Sequence, residues 1–261
     1  MSAGNAHPYS WSSIINGKYD GEEISRLGYP AVAAYLNANQ DTLGLPNARV
    51  THVWTQNAGI SKSIAASSGI EQVVNNAADI IGQIDAVILA RDDAEFHREM
   101  AEPFIEAGIP VFIDKPLAIS QADLQWFEEQ HEAGKFIMSC SSMRYANECR
   151  IVKQELASLD KLELVTAVGK KDWLKYGVHM VEAMFMDISG TFQLTFFVQQ
   201  AWRMADIKNS YSMFRDNIIE FVRSVEEGKP RLDFSKTKNI IQTVIAAEES
   251  RLAGGKIIHL K

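Results

Sequence analysis

Cysteine is scarce: Cys140 and Cys149 are the whole complement, set in the stretch KFIMSCSSMRYANECR with eight residues between them. No second pair completes a tetrahedral site, so no metal centre is expected and both are read as reduced thiols. Positive charge is also short. Lys and Arg number 26 against 33 Asp and Glu, a net charge of -7 and a pI near 5.4. That balance argues against a nucleic acid or an anionic membrane as partner, since both reward a positive field. Long apolar runs are missing, and the opening MSAGNAHPYSWSS has neither the basic nor the apolar region of a signal peptide. The expectation is a cytoplasmic protein with a small-molecule partner.

What is present is an ordinary globular composition, 46% hydrophobic and 23% charged over 261 residues. That length allows two unequal domains. ARVTHVWT (48–55) is β-branched enough for a strand, and ISKSIAASS (60–68) suits a helix with Gly69 as its C-cap. DAVILA (85–90) and IPVFID (109–114) are continuous apolar runs flanking a helical REMAEPFIEAG, the pattern of parallel strands covered on both faces. A helix over 121–133 capped by Ser120 and a strand KFIMSCSS extend the alternation. Strand, helix, strand predicts an α/β parallel sheet with a binding crevice at the carboxyl ends of its strands.

Beyond residue 118 strict alternation fades. ELVTAV and TFQLTFFVQQA read as strands, DWLKYGVHMVEAMF as a helix, and MFRDNIIEFVRSVEEG and TKNIIQTVIAAEESRLAGG as amphipathic helices. The expected organisation is a Rossmann-like domain over 1–118 followed by a smaller α+β domain over 119–261.

The segment DAVILARDDAEFHREMAEPFIEAGIPVFIDKPLAIS resembles the hallmark of the oxidoreductase family typified by glucose–fructose oxidoreductase and inositol 2-dehydrogenase. There a strand ends in a polar loop with His, a helix runs to Gly, and the next strand ends in an acid-Lys-Pro motif, here Asp114-Lys115-Pro116. GNAHPYSW resembles the family's first phosphate-loop turn, MRY at 143–145 stands where members carry an Arg, and YGVHMVEA matches the helix bearing the active-site His, here His179. The resemblance implies an NAD- or NADP-dependent dehydrogenase acting on a polyol or sugar, with Lys115 at the substrate hydroxyl and nicotinamide ribose and His179 as general acid/base. It also implies cofactor contacts from Gly4, Asn5, His7, Thr55, Ala90, Asp92, His97 and Asp114, substrate contacts from Arg144, Lys175 and Tyr176, and a homo-oligomer as a possible assembly.

Several positions depart from that pattern. G-x-G-x-x-G is absent; Gly4 stands at the turn, with Ser2 and His7 at the flanking glycine positions, and the strand expected ahead of it is missing. Thr55-Gln56-Asn57 is neutral where an NAD enzyme usually offers the ribose a carboxylate, which relaxes the choice between NAD and NADP. Lys175 stands four residues before His179, where the family commonly has Asp.

Residue chemistry leaves alternatives open. A lysine at a strand end is by default solvated, and a helix histidine is usually core; the flanking match lifts both to functional candidates. Helical spacing puts Lys175, His179 and Glu182 on one face, with Asp172 and Tyr176 on an overlapping one. His97 either faces the nicotinamide or belongs to a helix start with Asp92 or Asp93 as N-cap. Asp114 either orients Lys115 or simply pairs with it. Arg144 either meets an anionic substrate group or is a surface arginine, and His7, Tyr9 and Trp11 either line the cofactor loop or join a core. Two rivals to the enzyme stand beside it: a non-catalytic relative that binds a dinucleotide or sugar, and a shortened form that binds neither.

Overall fold

A computed structural model describes residues 5–156, 162–168, 172–185, 193–198, 201–206 and 209–260. It opens with three helices that the apolar pattern does not announce: α1 (His7–Asn16), α2 (Gly21–Arg26) and α3 (Pro30–Ala38). Strand β1 (His52–Val53) lies inside the predicted 48–55, and helix α4 (Ala58–Ser68) follows it. Asn57 starts that helix by accepting the N–H groups of Gly59 and Ile60. Gly69 ends it at φ 65°, where a Cβ would stand 2.6 Å from the Lys18 side chain.

The parallel unit continues through β2 (Gln72–Val73), β3 (Val87–Leu89), α5 (His97–Glu106), β4 (Val111–Ile113), α6 (Gln121–Glu132) and β5 (Ile137–Met138). All its strand pairs are parallel, as the helix-length crossovers require. Two ladders result, β1–β2 and β3–β4–β5. β4, hydrogen-bonded on both sides, is fully buried, whereas β1 and β3 are half-buried. The Val87 N–H donates to Pro110 and the Leu89 carbonyl accepts from Asp114, so Ile88 turns its peptide groups away from β4. Among the described residues no strand joins β3 to β1. One apolar cluster spans both ladders nonetheless: Trp11, Ile14 and Ile15 of α1 share it with Val53, Ile88 and Phe112.

The remainder comprises α7 (Asn147–Leu156), β6 (Leu162–Val168), α8 (Trp173–Phe185), β7 (Gln193–Val198), β8 (Ala201–Asp206), α9 (Ser210–Glu226) and α10 (Phe234–Leu252). β6, β7 and β8 form an antiparallel sheet. The single strand predicted over 191–201 is two, and the segment after it returns as β8. Phe196 is buried while its strand neighbour Phe197 is exposed, the alternation of a one-sided sheet. Strand β5 pairs with β4, and Tyr211, Ile218 and Phe221 of α9 join the α1 cluster, so the parallel unit extends past residue 118. The fold is thus a Rossmann-like parallel unit with a smaller antiparallel sheet. Among the described residues no helix is long and apolar enough to cross a membrane.

Candidate active site

The wholly apolar β4 delivers two charged residues to its carboxyl end. Asp114 is buried, with one carboxylate oxygen accepting the Lys115 N–H at 2.8 Å and the other 2.5 Å from His7 Nδ1. Burial pushes that carboxyl up, but the His7 charge and hydrogen bond, with Lys115, outweigh it and hold the group below the ordinary carboxylate value. His7 stacks on Trp11 with ring centres 4.5 Å apart. Lys115 is only 7% exposed, and its ammonium lies 5.1 Å from the centre of the Tyr176 ring. Among the described residues that ammonium has no hydrogen bond and no ion pair. A cation with its stem buried, near the Asp114 carboxylate but without an ion pair among the described residues, can take an oxygen ligand.

Helix α8 supplies the opposite side. Asp172 starts it, its side chain accepting the Lys175 N–H at 3.2 Å. The Trp173 indole N–H donates to the Val244 carbonyl of α10, and Gly177 lets that indole lie across the helix, since a Cβ there would come within 2.7 Å of it. So anchored, α8 presents Tyr176 and His179 together, rings 5.7 Å apart. Lys115 and His179, 64 residues apart in sequence, therefore both lie near the same phenol ring. His179 Nδ1 is 2.7 Å from the Ser141 hydroxyl, just beyond β5. The Ser141 N–H donates to Glu182 at 3.2 Å, and Glu182 forms a buried ion pair with Arg144.

Other expected site residues have definite places. Asn5 donates to the Ala90 carbonyl at 3.1 Å and accepts the His7 N–H at 2.9 Å, tying the first turn of α1 to the end of β3. Gly4 lies outside the described residues. The Thr55 hydroxyl donates to the Asn57 carbonyl at 2.7 Å, closing the turn into α4, and the exposed Gln56 is the side chain left at the end of β1. Asp92 reaches Lys175 at 3.7 Å through one oxygen, while the other is buried with no hydrogen-bond partner among the described residues.

Three expectations need correction. His97 does not face the crevice: it is fully buried, its two nitrogens 3.2 Å from the Leu117 carbonyl and 3.1 Å from that of Arg91. It ties two loops together, and burial holds its imidazole below the ordinary histidine value. Arg144 is neither surface nor substrate-facing, because Glu182 takes its charge in the interior. Lys175 is exposed and bridges α8 to the β3 loop through Asp92. Asp172, on the overlapping face, caps α8. Sequence reasoning missed Ser141 altogether, since a serine after a strand carries no signal of the histidine 38 residues on.

Residues 24–138 match the profile of an oxidoreductase family with an NAD-binding Rossmann fold. Inositol 2-dehydrogenase 1 of Saccharopolyspora erythraea is 35% identical over 107 residues, which cover 40% of this chain and 32% of that protein. The match thus spans about a third of the relative's length. Among solved structures, myo-inositol 2-dehydrogenase from Lactobacillus plantarum superposes with a TM-score of 0.69 at 13% identity, covering 83% of this chain and 93% of that one. An oxidoreductase from Agrobacterium radiobacter in complex with NAD+, L-tartaric acid and magnesium gives 0.64 at 13% identity, with 84% and 93% covered. Biliverdin reductase from Synechocystis, in complex with biliverdin and NADP+, gives 0.59 at 13% identity over 76% and 90%. At such identities the structures speak to the fold alone; the profile and the curated relative speak to descent. Over residues 24–138, less than half of its length, the chain is thus similar to the Gfo/Idh/MocA oxidoreductases with their NAD-binding Rossmann fold.

Proposed function

We propose that this chain is an NAD(P)-dependent oxidoreductase that moves hydride between the nicotinamide and a secondary alcohol of a polyol or sugar. The observation that carries the reading is the largely buried Lys115 ammonium, without an ion pair among the described residues, sharing the Tyr176 ring with His179. The inositol 2-dehydrogenase that it resembles in sequence supports the substrate class.

The residues present fit a dinucleotide at the carboxyl ends of β1, β3 and β4, with one part of the cradle weakened. The orphaned Asp92 oxygen suits a ribose hydroxyl, and the neutral Gln56 suits either nucleotide. At the first turn of α1, however, Asn5 already takes the His7 N–H and Pro8 has none, so two of that turn's peptide donors are withdrawn from a pyrophosphate. When bound, the nicotinamide supplies the hydride acceptor. Lys115 holds the substrate oxygen and stabilises the charge it gathers as its proton leaves. His179 takes that proton, and Tyr176 forms the wall between them.

Weak nucleotide affinity follows from the depleted turn. Each missing charge-assisted bond costs about 1.5–3 kcal/mol, so binding about a hundredfold or more weaker than a turn with free amides is expected. Titration with NADH and NADPH, followed by cofactor fluorescence, should give saturable binding below millimolar concentration for at least one of them. The same depletion favours the rival reading, a relative that keeps the fold without the chemistry. Absence of binding by both nucleotides at millimolar concentration would establish that rival.

A further inference from the structure

We propose that the His7 imidazolium takes over anion binding at the first turn of α1, its Nε2–H donating to the pyrophosphate of the dinucleotide; the assignment deepens the dehydrogenase reading and rests on its nucleotide site. The turn is short of peptide donors, because Asn5 holds the His7 N–H at 2.9 Å and Pro8 has none. A dinucleotide across the carboxyl ends of the strands still brings its negative charge to this turn. The fingerprint for such a turn puts glycine where His7 stands. The side chain that replaces the glycine is a donor in its own right.

Asp114 decides how the ring is used. Both of its oxygens accept, one from the Lys115 N–H at 2.8 Å and the other from His7 Nδ1 at 2.5 Å. A carboxylate can only accept, so Nδ1 carries a proton and Nε2 is the nitrogen left for a ligand. Trp11, stacked with ring centres 4.5 Å apart, and Phe214, edge-on at 5.2 Å, hold the ring in that orientation. Nε2 has no hydrogen-bond partner among the described residues, and the His7 side chain keeps 19% of its surface exposed while Asp114 is buried. Neutralising Asp114 does not account for the imidazole, since the Lys115 charge already bears on that carboxylate. Asp114 and Lys115 cancel, so an imidazolium at His7 leaves the strand end net positive, the sign a pyrophosphate requires. His7 thereby offsets part of what the turn loses in peptide donors.

The contact is directly observable in the ¹⁵N spectrum of histidine-labelled protein titrated with NADH, or with NADPH where that binds more tightly. The His7 signals are those missing from His7→Gln. In the wild type the His7 Nε2 signal is expected to move saturably, with the dissociation constant that cofactor fluorescence gives. His7→Ala should bind the same nucleotide about tenfold to a hundredfold more weakly, the loss of one charge-assisted bond, and His7→Gln, with a neutral donor, should fall between. A His7 signal that stays in place while the nucleotide saturates, or His7→Ala within about twofold of wild type, overturns the assignment and leaves the dehydrogenase reading standing. Absence of binding by both nucleotides overturns the two together. Since the titration is made on wild-type protein and reads no turnover, it decides the matter even where His7→Ala does not fold.

Discussion

Replacing Lys115 by alanine is expected to lower turnover by about 10²–10³-fold, the loss seen when one donor to a developing oxyanion is removed. Nucleotide affinity should change far less, within about threefold. The asymmetry follows from where the ammonium sits: over the Tyr176 ring, beside the His179 helix and free of any ion pair among the described residues. Its contribution grows as charge develops on the substrate oxygen and is small in the ground state. Lys115→Arg keeps the charge but not its compact shape, and should recover only part of the rate. Asp114 would lose a nearby positive charge in the alanine variant but retains His7, so the strand end should hold its form. Steady-state rates and fluorescence titration on one preparation separate the two effects. A fall in turnover smaller than about fivefold would remove Lys115 from the mechanism.

Breaking the Arg144–Glu182 pair is expected to give the largest loss of stability. Both side chains are almost fully buried, and Glu182 also accepts the Ser141 N–H. Burial pushes the Glu182 carboxyl above its ordinary value against the pull of Arg144, a sign that desolvation weighs heavily here. Removing either partner leaves an uncompensated buried charge, so Arg144→Ala or Glu182→Ala should each cost about 3–5 kcal/mol. That corresponds to a fall in Tm on the order of 10 °C for a chain of this size. The double replacement by methionine should recover much of the loss, because an apolar pair of similar volume carries no desolvation penalty. Denaturant melts of the singles and the double are the check; single variants within about 1 kcal/mol of wild type would show that water reaches the pair.

The parallel half of the fold was legible because its strands are apolar throughout and its helices end in glycine, as at Gly69 and Gly108. Strand lengths were overread: 85–90 shrinks to Val87–Leu89 and 48–55 to His52–Val53. Composition offers a whole run, but among the described residues each of these strands has a hydrogen-bonded neighbour on one side only. Helix α1, which only the resemblance implied, left no mark in the apolar pattern for a different reason. Residues Tyr9 to Ile15 are all buried, serines included, so no polar face marks its period.

The candidate site was half legible. Lys115 and His179 came from motif resemblance, and the structure brings them to one ring. What surrounds them depends on contacts between distant positions, which local patterns cannot carry. Arg144 and Glu182, 38 residues apart, each read as independent polar residues until the fold joins them. His97 looked functional by its place after a strand, and only the carbonyls of Leu117 and Arg91 reveal it as a tie between loops.

The central claim is hydride transfer at the crevice between Lys115 and His179. Its most direct test is transfer of deuterium from a carbinol-deuterated polyol, myo-inositol first, to the nicotinamide C4, read by mass spectrometry of the recovered nucleotide. The expected result is label on the cofactor with wild-type protein, and loss of that label with Lys115→Ala and with His179→Ala. Unlabelled cofactor from wild-type protein that binds the nucleotide, across a panel of polyols and sugars, would contradict the claim; so would label that persists undiminished in both variants.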